Sequence, residues 1–167
     1  MIPAKFCHLE SGEHVPHDYG NLYFEQPCGP STRLVIGPAA RHVELLTELA
    51  AELGGNPWYV LYLLLVPRLG NRPPGRYQSP PFQTHRELSA FLASFRSFFE
   101  GDGRHHVWVG SAANDGLLVY DQHNVIFAYG PLERYKEILR ARTFGQSQFW
   151  FPVPHSGTKA RRSSILP

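Results

Sequence analysis

Nine consecutive apolar residues, Trp58 to Val66, constrain this chain more than any other feature. The run is about half the ~20 residues that a bilayer-crossing helix needs, so it is expected inside a folded core. Its β-branched and aromatic content, and the prolines at either end, favour a strand over a helix. A strand that is apolar on both faces is predicted to lie centrally in a sheet, covered on two sides. The rest of the 167 residues can supply that cover, since 43% are hydrophobic and only 18% are charged. That balance excludes an intrinsically disordered chain. Two cysteines, Cys7 and Cys28, are too few for a disulfide scaffold and are expected as reduced thiols.

The clearest helix signal begins at Thr84. Thr84-His85-Arg86-Glu87 is a capping box, in which the hydroxyl and the carboxylate each satisfy a backbone amide at the helix start. Leu88, Phe91, Leu92, Phe95, Phe98 and Phe99 follow at helical spacing and predict one helix ending at Gly101. Its four phenylalanines are expected to be buried, contributing about 1.5–3 kcal/mol each before entropy is subtracted. A second helix is predicted from Pro38 to Leu53, stopped by Gly54-Gly55, and a third from Leu132 to Arg142.

Strands are expected at Asn21 to Glu25 and at Arg33 to Ile36, within an otherwise irregular first stretch of the chain. A meander follows at His106 to Ser111, Leu117 to Asp121 and Val125 to Tyr129, with Asn114-Asp115-Gly116 and Gln122-His123-Asn124 as its turns. A last strand is predicted at Gln148 to Val153. The whole reads as an α+β fold, a single domain over residues 1–154. Its mainly antiparallel sheet is expected to have about five to six strands, with three helices packed on it. The strand–helix–strand unit from Trp58 to Ser111 is expected to add one parallel pair. Residues 155–167 read as a flexible basic tail. The passage from Leu117 to Leu132 resembles small bacterial α+β proteins in its general cast and transfers no activity.

Charge is unevenly placed although the net charge is only +2. No acidic residue occurs from Leu53 to Arg86, and none follows Glu137. Inside the first gap, Pro67 to Gln83 reads as a long Pro/Gly/Arg-rich loop, of a length that is often functional. Arg68, Arg72 and Arg76 recur there at intervals of four, followed by Tyr77. Guanidinium forks suit carboxylate or phosphate partners, and the tyrosine offers a stacking surface. A solvated loop is the plainer reading of the same residues. Three arginines and a pI of 8.6 fall short of a nucleic-acid footprint, so nucleic acid is an unfavoured partner.

Two further clusters carry chemistry. Asp121 and His123 lie at a predicted hairpin turn, where a hydrogen bond between them would prepare His123 as a general base. His14, His17 and Asp18 bring two imidazoles and a carboxylate into one loop, the types that ligate a divalent metal. Exposed turn residues bonded to their own backbone are the plainer reading of both. No phosphate loop, dinucleotide fingerprint, nucleophile elbow or zinc-binding helix motif occurs.

The expected function is therefore a non-enzymatic binding or protein-interaction module, an immunity-like or antitoxin-like partner protein that uses the 67–83 loop. Arg68, Arg72, Arg76, Tyr77, Asp121 and His123 are its candidate contacts. No cofactor is expected. A small metal-dependent or acid–base enzyme using the His/Asp clusters is the first alternative, and a weak anion or nucleic-acid binder the second. The sequence lacks a signal-peptide pattern and any membrane-length apolar run, so a soluble cytoplasmic protein is expected.

Overall fold

The computed structural model of the protein describes residues 4–68, 72–113 and 115–152. The expected 155–167 tail lies outside the described residues, as does the end of the predicted strand at Val153. A hairpin of β1 (Cys7–Glu10) and β2 (Glu13–Pro16) opens the chain. There follow β3 (Leu22–Cys28), β4 (Ser31–Gly37), α1 (His42–Ala51), β5 (Trp58–Leu64) and β6 (Gly75–Gln78). Next come α2 (His85–Ser94), α3 (Arg96–Gly101), β7 (His105–Ser111), β8 (Leu117–Tyr120) and β9 (Ile126–Tyr129). The last elements are α4 (Leu132–Ala141) and β10 (Gly145–Gln146).

The expectation of a mixed α+β architecture agrees with these elements. Among the described residues, however, the main sheet has eight strands rather than five to six, in the order β10-β3-β4-β9-β8-β7-β5-β6. Pairing is antiparallel throughout except for β10 beside β3. The additional strands are short. β6 has four residues between Pro73-Pro74 and Pro80-Pro81, too few to display an alternating pattern amid turn formers. β10 has only two residues and replaces the strand expected at Gln148 to Val153.

The expected parallel pair is also overturned: β5 and β7 run antiparallel, Trp58 opposite Ser111 and Leu64 opposite His105. β6 is the reason. It carries the chain back to the Trp58 end of β5, where Phe82 and Trp58 exchange backbone hydrogen bonds of 2.9 Å. The following helical segment then returns to the Leu64 end, where Leu65 N–H donates to Arg104 C=O, and β7 starts from there. A parallel crossover would have needed the chain to leave β5 and re-enter at its beginning.

The capping box at Thr84 forms as its spacing predicts, with Glu87 N–H donating to the Thr84 hydroxyl and the Glu87 carboxylate accepting from Thr84 N–H. The helix itself divides at Phe95, whose φ of −106° and ψ of 9° close α2 and open α3, so the described residues form four helices rather than three. Phe99 turns into the core at 3% exposure, but Phe95 and Phe98 stand 46% and 42% exposed. The expected burial of all four rings is therefore not realised. Neither glycine nor proline stands at the break, so nothing local announces it.

All four helices lie on one face of the sheet. Leu46, Leu49, Leu88, Leu92 and Leu139 pack there on Leu34, Ile36, Val60, Val107, Val109 and Leu118. On the opposite face Tyr19, Val35, Val125 and Phe149 form a second, smaller core. β5 lies next to the sheet edge. Trp58 and Val60 are buried under the helices, whereas Tyr59, Leu61 and Leu63 on the other face are only half-buried. Among the described residues, no helix is long and apolar enough to cross a membrane.

Candidate functional site

The arginine segment is divided by the strand it enters. Tyr77 sits opposite Tyr62 in the sheet and lies on the helix side. The Arg72 guanidinium stands 5.9 Å from the Tyr77 ring, and the Tyr77 hydroxyl donates to Pro73 C=O at 2.7 Å. Arg68 Nη2 lies 3.4 Å from Asp102 Oδ2. Arg76 points the other way, 6.0 Å from the Trp108 ring on the far face. Neighbouring strand residues take opposite faces, which separates Arg76 from Tyr77, while Arg68 and Arg72, ahead of β6, lie on the Tyr77 side beside Tyr62 and Phe98.

Asp121 and His123 do meet, with His123 Nδ1 3.0 Å from Asp121 Oδ2. The other carboxylate oxygen accepts from the backbone N–H groups of His123 and Val125, so Asp121 organises the turn between β8 and β9. His123 packs edge-on against Phe6 and lies near Phe151 rather than beside the arginine segment. His14 is exposed on β2, and Asp18 accepts from Gly20 N–H at 2.6 Å. His17 faces His8 instead, with 3.2 Å between their Nδ1 atoms. Among the described residues, no three His, Cys, Asp or Glu side chains are placed to hold a metal ion.

A further surface site is one the residue patterns did not single out. An apolar groove of about 440 Å³ runs between the α2–α3 segment and the edge strand β6. Phe91, Phe95 and Phe98 form its helix wall, Val60 and Tyr62 its floor, and Tyr77 its outer wall. The rings make a continuous chain: Phe82 to Phe91 at 5.2 Å, Phe91 to Phe95 at 5.0 Å, Phe95 to Phe99 at 5.9 Å. Phe98 then stacks on His105 at 5.0 Å, and His105 lies 4.9 Å from Tyr62. The division at Phe95 opens this groove, since it separates the exposed Phe95 and Phe98 from the buried Phe99.

One end of the groove is basic. A neighbouring hollow of about 380 Å³ shares Tyr62 and Phe98 and is bordered by Arg68, Arg72, Asp102 and Arg104. Arg104 grips Asp102 through both carboxylate oxygens, and this bond holds the Asp102 carboxyl down to about 2. Three guanidiniums therefore face one carboxylate that stays ionised at any physiological pH. Arg72 has no ion pair among the described residues. Burial pushes His105 down to about 3, so the imidazole under the groove is neutral. The site thus offers aromatic surface beside unbalanced positive charge.

The sequence carried no signal for the groove, since Leu88, Phe91, Leu92, Phe95, Phe98 and Phe99 make one ordinary core-facing helical stripe with Phe95 near its centre. Comparison with protein-family models, curated proteins and solved structures returns no match, so function has to be read from this chain's own geometry.

Proposed function

We propose that the chain is a protein-interaction module whose groove receives an acidic segment of a partner, anchored by an apolar side chain. The juxtaposition of exposed Phe95 and Phe98 with the Arg68, Arg72 and Arg104 rim carries this reading. Aromatic and arginine side chains are the types that dominate binding energy at interfaces. The absence of acidic residues from Leu53 to Arg86 leaves the rim unbalanced by neighbouring sequence and favours a partner of opposite sign. Immunity and antitoxin proteins act in this way, by occupying another chain.

Selection of a displayed library of random linear peptides against the protein tests the proposal. Enriched sequences are expected to pair an aromatic or aliphatic residue with nearby Asp or Glu. Phe98→Ser and Arg72→Glu, both at exposed positions, are each expected to weaken those peptides at least about tenfold, the effect of losing one hot-spot side chain. Failure to enrich any sequence, or peptides that bind both variants as well as the parent, would overturn it.

A further inference from the structure

Resting on that docking reading, we infer that the partner segment binds by adding a strand to the free edge of β6. Among the described residues, β6 is the last strand of the sheet on its side. Ser79 N–H donates to Val60 C=O at 2.8 Å, and Tyr77 lies opposite Tyr62. Hydrogen-bonded residues alternate along an antiparallel pair, so Gly75, Tyr77 and Ser79 direct their backbone groups inward to β5. Arg76 and Gln78 direct theirs outward, with no backbone partner among the described residues. An open edge of this kind is a template for another extended chain.

The side chains of such a strand would fall in the right places. A residue opposite Tyr77 projects on the same face as Tyr77, over the groove and towards Phe95 and Phe98. A residue two positions away, opposite Gly75, meets a position with no side chain of its own. Even a Cβ placed on Gly75 would meet nothing nearer than the Tyr77 ring at 3.9 Å. That residue reaches the Arg68 and Arg72 end, where a carboxylate is matched. The motif is therefore an apolar anchor and an acidic residue two positions apart, in an extended segment. Residues between them face Arg76 and Trp108 on the far side. Pro73-Pro74 and Pro80-Pro81 bracket the edge and limit the addition to a few residues, which keeps it from propagating.

Backbone N-methylation of a selected peptide tests the strand addition. For antiparallel addition, methyl groups on the residues flanking the anchor are expected to weaken binding about tenfold each, the loss of one hydrogen bond to β6, with the anchor's own amide tolerant. Binding is also expected to slow amide exchange at Arg76 and Gln78 and leave Tyr77 unchanged. A peptide that still needs Phe98, tolerates methylation everywhere and leaves those two amides unprotected would overturn the added strand while groove docking stands. A peptide indifferent to Phe98→Ser would overturn the docking reading itself.

Discussion

Two aromatic clusters occupy opposite faces of the same sheet, and they end differently. On the back face, Tyr19 and Phe149 lie 4.8 Å apart, with Phe6, Phe24, His17 and His123 around them. Segments from both ends of the chain close this cluster: His17 N–H donates to Phe6 C=O, and the Tyr19 hydroxyl donates to His123 C=O at 3.0 Å. On the helix face, Phe91 and Phe95 lie 5.0 Å apart and Phe98 lies 5.0 Å from His105, yet no described segment crosses them. Ring chemistry is the same in both places. Coverage is decided by whether another stretch of chain is within reach.

The sharpest break of that contrast is a truncation inside the closed cluster. Phe149→Ala is expected to lower the unfolding free energy by about 3 kcal/mol in urea denaturation, because a cavity replaces a buried ring. A loss under about 1 kcal/mol would mean that this cluster is as open as the groove.

Lys5, in the segment that leads into the closed cluster, is next. Its ammonium is buried over the Tyr120 ring, 3.5 Å from the centroid, and has no hydrogen-bond partner among the described residues. Burial lowers its amine from 10.5 to about 7. The unfolded chain keeps that proton up to pH 10.5 and the folded chain only to about 7, so unfolding takes up a proton in between. Stability is therefore expected to rise with pH across that window. Lys5→Met is expected to flatten the slope and to stabilise the protein at neutral pH by about 1–3 kcal/mol. Identical pH–stability curves for the two proteins would exclude a buried, titrating Lys5.

The open cluster should respond less. Phe98→Ser is expected to change the unfolding free energy by about 1 kcal/mol or less, since its ring is already 42% exposed. A loss as large as that of Phe149→Ala would make Phe98 a core residue and remove the groove.

The smallest effect concerns His17, which follows the β1–β2 hairpin and faces His8. Burial, then the neighbouring His8, lowers the His17 imidazole from its ordinary value of 6.5. A base whose folded value is depressed stabilises the fold above its unfolded value, and that stability is lost as pH falls. Amide exchange in β1 and β2 is expected to accelerate modestly below pH 6.5, and His17→Phe should remove the dependence. Acceleration that persists in the variant would assign it to another group.

Much of the secondary structure could be read from neighbouring residues. The Thr84 capping box, the meander and α4 each follow from spacings within one or two turns of chain. So did the Asp121–His123 contact, which spans a single hairpin turn. The pairing of His17 with His8, rather than with His14 and Asp18, could not be read in this way. It depends on the register of β1 on β2, which sets Leu9 opposite His14 and His8 opposite Val15. Nor could Arg76 and Tyr77 be assigned to opposite faces while that stretch was read as a loop, since alternation begins only when a strand forms.

Local periodicity and capping chemistry determined the helices, the meander turns and the apolar load of Trp58 to Val66, because such preferences act between residues a few positions apart. Tertiary structure alone decided that β6 would fold, that the long helix would divide at Phe95, and that one aromatic cluster would be sealed and the other left open. Those outcomes depend on which distant segments arrive beside each other, and no short stretch of sequence encodes that meeting.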